Sequence, residues 1–345
     1  MKAVVVRGIQ QFEVADVPMP EPAAGEVLIR VGYCGICGSD MEAYHTGMYA
    51  PGLIVGHEFA GVIAQVGPDV ADWRPGDRVV VNDAVPCGEC RPCRDGRLDA
   101  CESLYMIGVT HDGAMAEYCV APVRGLHRLP DGVSLRRGAL VEPLSVALHG
   151  VHRSRLKPGD RALVMGAGPI GLLTLQCALL AGARMVAVTE VDPTRAALAQ
   201  KLGAEVVLNP TRDNVVVNLS ALTDGQGPDV IYVCTGAPQP YRDAISLVRK
   251  GGQIFVLGLC VEPVEADFMS VAMGDLCIEG SLAGRAQFAA AIDFVAQGRV
   301  DVESLITHEI ALDDAVEKGF KLLDTPNSGA VKVLVRIGGE LTADR

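Results

Sequence analysis

The stretch Ala162-Leu163-Val164-Met165-Gly166-Ala167-Gly168-Pro169-Ile170-Gly171 decides how this 345-residue sequence is read. Four apolar residues make a short strand, and Gly166, Gly168 and Gly171 follow as G-x-G-x-x-G at the mouth of a long apolar helix. The first glycine permits a tight turn, the second lets backbone approach a pyrophosphate, and the third lets the helix sit close to the strand. The helix N-terminus then offers free N–H groups to the phosphates. Glu190 closes the next apolar strand (186–189) at about the 20-residue spacing where an acid accepts hydrogen bonds from ribose hydroxyls. Strand, loop, helix, strand and acid together predict dinucleotide binding, which the glycines alone would not.

Outward from this loop the strand theme repeats at 206–208, 230–233 and 254–257, with helical segments at 195–202 and 241–248 and a last helix at 287–297. Short, nearly all-apolar strands alternating with helices imply a parallel sheet covered on both faces. Upstream, the first 150 residues are rich in Gly and Pro, with short Val/Ile runs at 27–31 and 79–81, the texture of a compact β-rich domain. A helix at 313–323 and a strand at 331–337 are expected to fold back onto that domain. The tetrapeptides Pro75-Gly76-Asp77-Arg78 and Pro158-Gly159-Asp160-Arg161 match, but their flanks do not, and shared turn chemistry accounts for them.

The formal net charge of −12 argues against nucleic acid or an anionic membrane as partner. No apolar run approaches the roughly 18 residues needed to span a bilayer, and the first residues read as a strand, which places the protein in the cytoplasm. In a reducing compartment clustered cysteines are metal ligands and scattered ones are packing residues. Cys119, Cys177, Cys234, Cys260 and Cys277 are scattered and expected to be buried.

Cys87, Cys90, Cys93 and Cys101 are clustered, interleaved with Gly88, Pro92 and Gly96. Four thiolates at this spacing suit a closed tetrahedral zinc on a loop, a structural site with no open position. Left free, they would be an oxidation liability. A third constellation is dispersed: Cys34 to Asp40, then Gly56-His57-Glu58, then Glu142-Pro143 with Ser145 and His149. Singly, each residue has an ordinary reading as a core histidine or a helix-start acid. Together they supply thiolate, imidazole and carboxylate, the donors of a catalytic zinc that keeps one position open.

The ordered set GICGSD (35–40), GHE (56–58), the cysteine lobe (87–101), VEPLSVALHG (141–150) and GAGPIG (166–171) closely resembles the zinc-dependent medium-chain alcohol dehydrogenases along essentially the whole chain. Glu142 within VEPLS, where liver-type members carry cysteine, makes the polyol branch of sorbitol, butanediol and threonine dehydrogenases the nearest likeness. The resemblance implies an α/β protein with a GroES-like β-rich catalytic domain (1–147 and 300–345) and a Rossmann doubly wound domain (148–299). It implies a homodimer or homotetramer, NAD, and two zinc ions per chain. Cys37, His57, Glu58 and Glu142 match the catalytic zinc site, and Ser39 matches the hydroxyl that takes the substrate proton. The branch's next relay histidine is replaced by Glu42, leaving His45 as the nearby imidazole. Pro169, Ile170, Arg195, Thr235, Leu257 and Gly258 match cofactor contacts. The expected activity is hydride transfer between NAD(H) and a secondary alcohol or ketone of a small polyol, sugar alcohol, diol or hydroxy amino acid. Two other readings stand beside it: a zinc hydrolase or lyase, and an inactive member with a structural role.

Overall fold

A computed structural model describes residues 1–341 and divides the chain into two compact units. One comprises Met1–Glu142 and the segment from Phe288 onward, the other Pro143–Gln287. These boundaries fall inside the helix Val141–Arg153 and at Phe288, before the positions 147 and 300 suggested by the sequence.

The second unit is built on a six-stranded parallel sheet in the order Val206–Leu208, Met185–Thr189, Arg161–Met165, Val230–Val233, Gln253–Val256, Cys277–Gly280. Its central strands are apolar except for Arg161 and Thr189 at their ends, and helices cover both faces, so both sets of alternating side chains are buried from Ala162 onward. Pro169–Leu180, Pro193–Lys201 and Pro238–Leu247 each start on a proline, which needs no N–H partner there. Asp192 and Asn214 cap the helices Pro193–Lys201 and Val215–Leu222 through their side chains. Strand order reverses at Arg161–Met165, whose neighbours are the next strand on one side and Val230–Val233 on the other. Ligands of open α/β sheets bind outside the carboxyl ends of strands at such a point. The edge strand Cys277–Gly280 has no apolar run and was not expected.

In the first unit a seven-stranded sheet centres on Glu26–Gly35, which pairs antiparallel with Glu58–Val66, Tyr118–Pro122 and Lys332–Arg336. The returning tail is thus stitched in, with Leu334 opposite Gly35 and Val335 opposite Cys34. The expected helix at 313–323 is a chain of short turns instead: Leu312–Asp314, a wide π turn Ala315–Phe320, and Lys321–Asp324. Phe320 from that segment packs edge-on against Phe12, 5.1 Å between ring centres, and Phe12 does the same against Tyr44 at 5.2 Å. The two Pro-Gly-Asp-Arg turns lie in different units, and both use a left-handed glycine, Gly76 at φ 94° and Gly159 at φ 92°. Cys119, Cys177 and Cys234 are buried as expected, but Cys260 and Cys277 are only half-buried, Cys277 because it lies on the edge strand.

Candidate functional site

Cys87, Cys90, Cys93 and Cys101 come together within one loop of the first unit, their sulfurs all within 4.8 Å of one another. Cys87 and Cys93 are 4.0 Å apart and Cys90 and Cys101 3.9 Å, too far for disulfides. A regular tetrahedron with zinc–sulfur bonds of about 2.3 Å has edges of about 3.8 Å, so the spacing fits that ion. The loop favours anionic sulfur at Cys87, whose thiol the backbone N–H groups of Glu89 and Cys90 bring down to about 6, while burial pushes the Cys93 thiol up to about 12. Short helix Arg91–Arg94 carries Cys93, and turn Leu98–Ala100 delivers Cys101.

A second group of donors is assembled from distant segments. Cys37 caps helix Gly38–Thr46, His57 follows the left-handed Gly56, and Glu58 opens strand Glu58–Val66. One ligand atom from each lies within 4.8 Å of the others, and His57 and Glu58 are buried. Gly35 is required here: a Cβ on it would stand 2.2 Å from Glu58 Oε2. Ser39 Oγ is 3.5 Å from His57 Nε2. Glu142 is buried as well but lies outside that three-residue group; burial and the adjoining Asp83 push its carboxyl well above the usual range, with His57, Glu58 and Lys332 also acting on it.

Several members of this site were not singled out from the sequence. Asp40 is fully buried, and its Oδ2 accepts the Cys37 N–H at 3.0 Å while Oδ1 lies 3.7 Å from His57 Nδ1. That places a carboxylate behind the imidazole at ion-pair rather than hydrogen-bond distance, on the side where metal-binding histidines usually have one. Its position three residues after Cys37, in a capping box, was the available signal. Lys332, from the last strand, is 1% exposed and holds both Glu58 oxygens at 2.6 and 2.8 Å and the Ile36 carbonyl at 3.0 Å. Nothing local in the sequence announces it. Asp83 is buried within the fields of His57 and Glu58. Four buried carboxylates, Asp40, Glu58, Asp83 and Glu142, thus stand with a thiol around one imidazole and one lysine. A divalent cation is the counter-charge such a donor set fits. His45 is elsewhere: its imidazole pairs with Asp324 at 2.9 Å with the side chain 41% exposed, while Ser39 faces His57. Spaced six residues from Ser39, His45 follows the Asp324 carboxylate of the tail.

In the second unit Gly166 takes φ 95°, and a Cβ on Gly171 would lie 1.8 Å from the Gly166 carbonyl, so helix and loop pack as closely as the motif predicts. At Gly168 a Cβ would meet nothing within 4 Å, which leaves open the approach to the N-terminus of helix Pro169–Leu180, starting at Pro169 and Ile170. Glu190 is nearly buried. Its Oε2 accepts the Ala167 N–H at 2.7 Å, and Oε1 accepts those of Val191 and Asp192 at 2.7 and 2.8 Å. The carboxylate therefore ties the glycine loop to the turn that follows the second strand. Arg195 lies in the first turn of helix Pro193–Lys201. Thr235, Leu257 and Gly258 gather at the ends of the adjoining strands, where the single Tyr241 hydroxyl proton is shared between the Thr235 and Gly258 carbonyls at 3.0 and 2.9 Å. Gly258 admits no side chain, since a Cβ would stand 2.3 Å from the Thr235 carbonyl oxygen.

Comparison with known proteins bears on both units. Residues 23–131 match the alcohol dehydrogenase GroES-like domain family, and residues 169–297 match the zinc-binding dehydrogenase family. The sequence is 36% identical over 330 residues to an L-arabinitol 4-dehydrogenase of Talaromyces emersonii, covering 90% of this chain and 84% of that one. The fold superposes on 2R,3R-butanediol dehydrogenase from Bacillus subtilis with a TM-score of 0.88 at 32% identity, covering 97% and 99% of the two chains. It superposes on a zinc-binding dehydrogenase of Sinorhizobium meliloti 1021 bound to NADP with a TM-score of 0.90 at 33% identity, covering 97% and 98%.

Proposed function

The chain belongs to the zinc-type medium-chain polyol dehydrogenases, and from that premise we propose that it interconverts a secondary hydroxyl and a ketone on a small polyol, sugar alcohol, diol or hydroxy amino acid, using NAD(H) and two zinc ions per chain. The observation that carries this reading is the convergence of Cys37 with the adjacent pair His57-Glu58, from two segments about 20 residues apart, in a chain that also holds the glycine loop.

In this reading Cys37, His57 and Glu58 would hold the catalytic zinc, with the buried Glu142 carboxyl acting on the same site. Bound there, the metal supplies Lewis acidity that eases loss of a hydroxyl proton near neutral pH, and the nicotinamide carries the redox chemistry. Asp40 keeps the His57 ring oriented. Ser39 accepts the substrate proton, and the route onward does not pass through His45. Lys332 offsets the Glu58 charge, and both side chains are 1% exposed. The cysteine lobe orders its loop and takes no part in chemistry.

Preference for NAD over NADP rests on Glu190, whose carboxylate would face a 2′-phosphate with like charge. Replacing it, Glu190→Ser, should shift the NAD/NADP ratio of kcat/KM by about 10–100-fold. A ratio that stays put, or a parent enzyme that prefers NADP, excludes Glu190 as the discriminator. Homo-oligomer formation is supported by the open edge strand Cys277–Gly280, beside which Phe268, Met269 and Met273 are each at least 73% exposed. Sedimentation of Phe268→Asp against the parent checks that edge. No described helix is long and apolar enough to cross a membrane, and eleven unpaired cysteines suit a reducing cytoplasm.

The deciding experiment follows absorbance at the reduced-nicotinamide band with NAD and a panel of diols, sugar alcohols and hydroxy amino acids, before and after zinc chelation. Zinc-dependent reduction is the expected result. Silence across the panel with zinc-loaded protein overturns the substrate class.

A further inference from the structure

One buried polar group beside the metal cluster has no role in the reaction as derived above. Tyr49 follows the left-handed Gly47 that ends helix Gly38–Thr46, and it is 3% exposed. Its ring packs in the core of the first unit, yet among the described residues its hydroxyl makes no hydrogen bond of good geometry, the Ser39 hydroxyl being the one side-chain partner near enough to interact with it. Buried hydroxyls are nearly always paired. The buried hydroxyl of Tyr232 is, to Ser154 at 2.7 Å, and so is the half-buried one of Tyr241. The surroundings of the Tyr49 hydroxyl are specific. It lies beside the Ser39 hydroxyl and within the fields of Asp40, His57 and Cys37, so its free hydrogen-bonding capacity sits next to the group that receives the substrate proton.

We propose that Tyr49 is a specificity-determining residue whose hydroxyl pairs with a second substrate hydroxyl, on the carbon next to the one oxidised. The inference rests on the polyol reading and narrows it to substrates with vicinal hydroxyls. A hydroxyl partner satisfies the buried phenol, whereas a methyl or methylene in the same place leaves it with the Ser39 hydroxyl alone. Sites built around a hydrogen bond reject the analogue that lacks the group far more strongly than apolar pockets reject an added one. The opposing role is purely local: Tyr49 could merely steady Ser39, and would then serve every alcohol alike.

Two probe pairs separate these roles, 2,3-butanediol against 2-butanol and 1,2-cyclohexanediol against cyclohexanol. The parent enzyme should favour the diol of each pair by roughly 100-fold or more in kcat/KM. Tyr49→Phe keeps the ring and removes only the oxygen; it should cut that preference by about 10–100-fold, through KM more than kcat, and leave the simple alcohols unchanged or improved. Calorimetric binding of 2,3-butanediol to the NADH-loaded enzyme, where no turnover occurs, should weaken by about tenfold in the variant, the loss of one hydrogen bond. Equal losses on diol and simple alcohol, or a parent enzyme indifferent to the second hydroxyl, overturn the assignment of Tyr49 while the dehydrogenase reading stands. If no polyol is turned over at all, the reading itself fails and takes this inference with it.

Discussion

The four-cysteine lobe and the Cys37–His57–Glu58 cluster lie in the same compact unit, and each gathers its donors within 4.8 Å, yet they are built on opposite plans. The lobe draws four like ligands from one loop, half of it exposed, and its own backbone N–H groups favour thiolate at Cys87. The cluster draws three unlike ligands from two segments, Cys37 and the pair His57-Glu58, and its charges are answered by other residues, Asp40 behind His57 and Lys332 against Glu58. A closed site of soft, local ligands orders chain and nothing more. A site of mixed donors supported by buried charge from outside can keep a position free for substrate, at the cost of depending on many distant contacts.

The largest expected effect breaks the cluster at its thiolate. Cys37→Ser should leave one zinc per chain by metal analysis, keep the fold, and lower kcat by roughly 10³-fold or more, as loss of several kcal/mol of charge stabilisation dictates. Full activity would mean that the two sites have exchanged roles. Next comes the outlying charge. Lys332→Met leaves Glu58 buried without its cation, a loss of about 3–5 kcal/mol. The decrease in Tm should be larger in chelator-treated protein than in zinc-loaded protein, because the metal supplies the missing positive charge; equal decreases would show that Lys332 acts by packing alone.

Breaking the lobe instead tests its isolation. Cys93→Ser forfeits metal-binding energy that is folding energy for the loop. A penalty of about 3 kcal/mol should lower Tm by roughly 6–12 °C in a unit of this size. Turnover per remaining catalytic zinc should hold, and a stable but inactive variant would refute the structural role. The smallest effect is at His45. An exposed imidazole–carboxylate pair contributes at most about 1 kcal/mol, so His45→Ala should barely move Tm. Its pH–rate profile should match the parent's. A loss confined to low pH would return His45 to the proton route.

The same contrast explains what could be read from the sequence. The lobe and the glycine loop were legible because their residues are close in the chain and their spacing is itself the geometry. Cys37, His57 and Glu58 were legible only as a resemblance, since no spacing rule joins positions 37 and 57. Lys332 and Tyr49 carried no signal: a lysine in an apolar strand and a tyrosine in a Gly/Pro-rich turn become site residues only when Lys332–Arg336 pairs with Glu26–Gly35 and helix Gly38–Thr46 turns back. His45 was suggested by proximity in sequence, but the tail segment that brings Asp324 to it could not be foreseen. The strand Cys277–Gly280 escaped because an edge needs no continuous apolar run.

Lys332 also fixes an order of events during synthesis. Glu58 precedes its partner by 274 residues, so it leaves the ribosome long before the cation that answers it. Every strand of the dinucleotide-binding sheet, down to Cys277–Gly280, is made in the interval. A nascent chain paused before residue 332 therefore holds a complete nucleotide unit beside an unfinished metal unit, with the sheet position between Glu26–Gly35 and Ile306–Ala311 still open. The half of the protein that begins first is the half that finishes last.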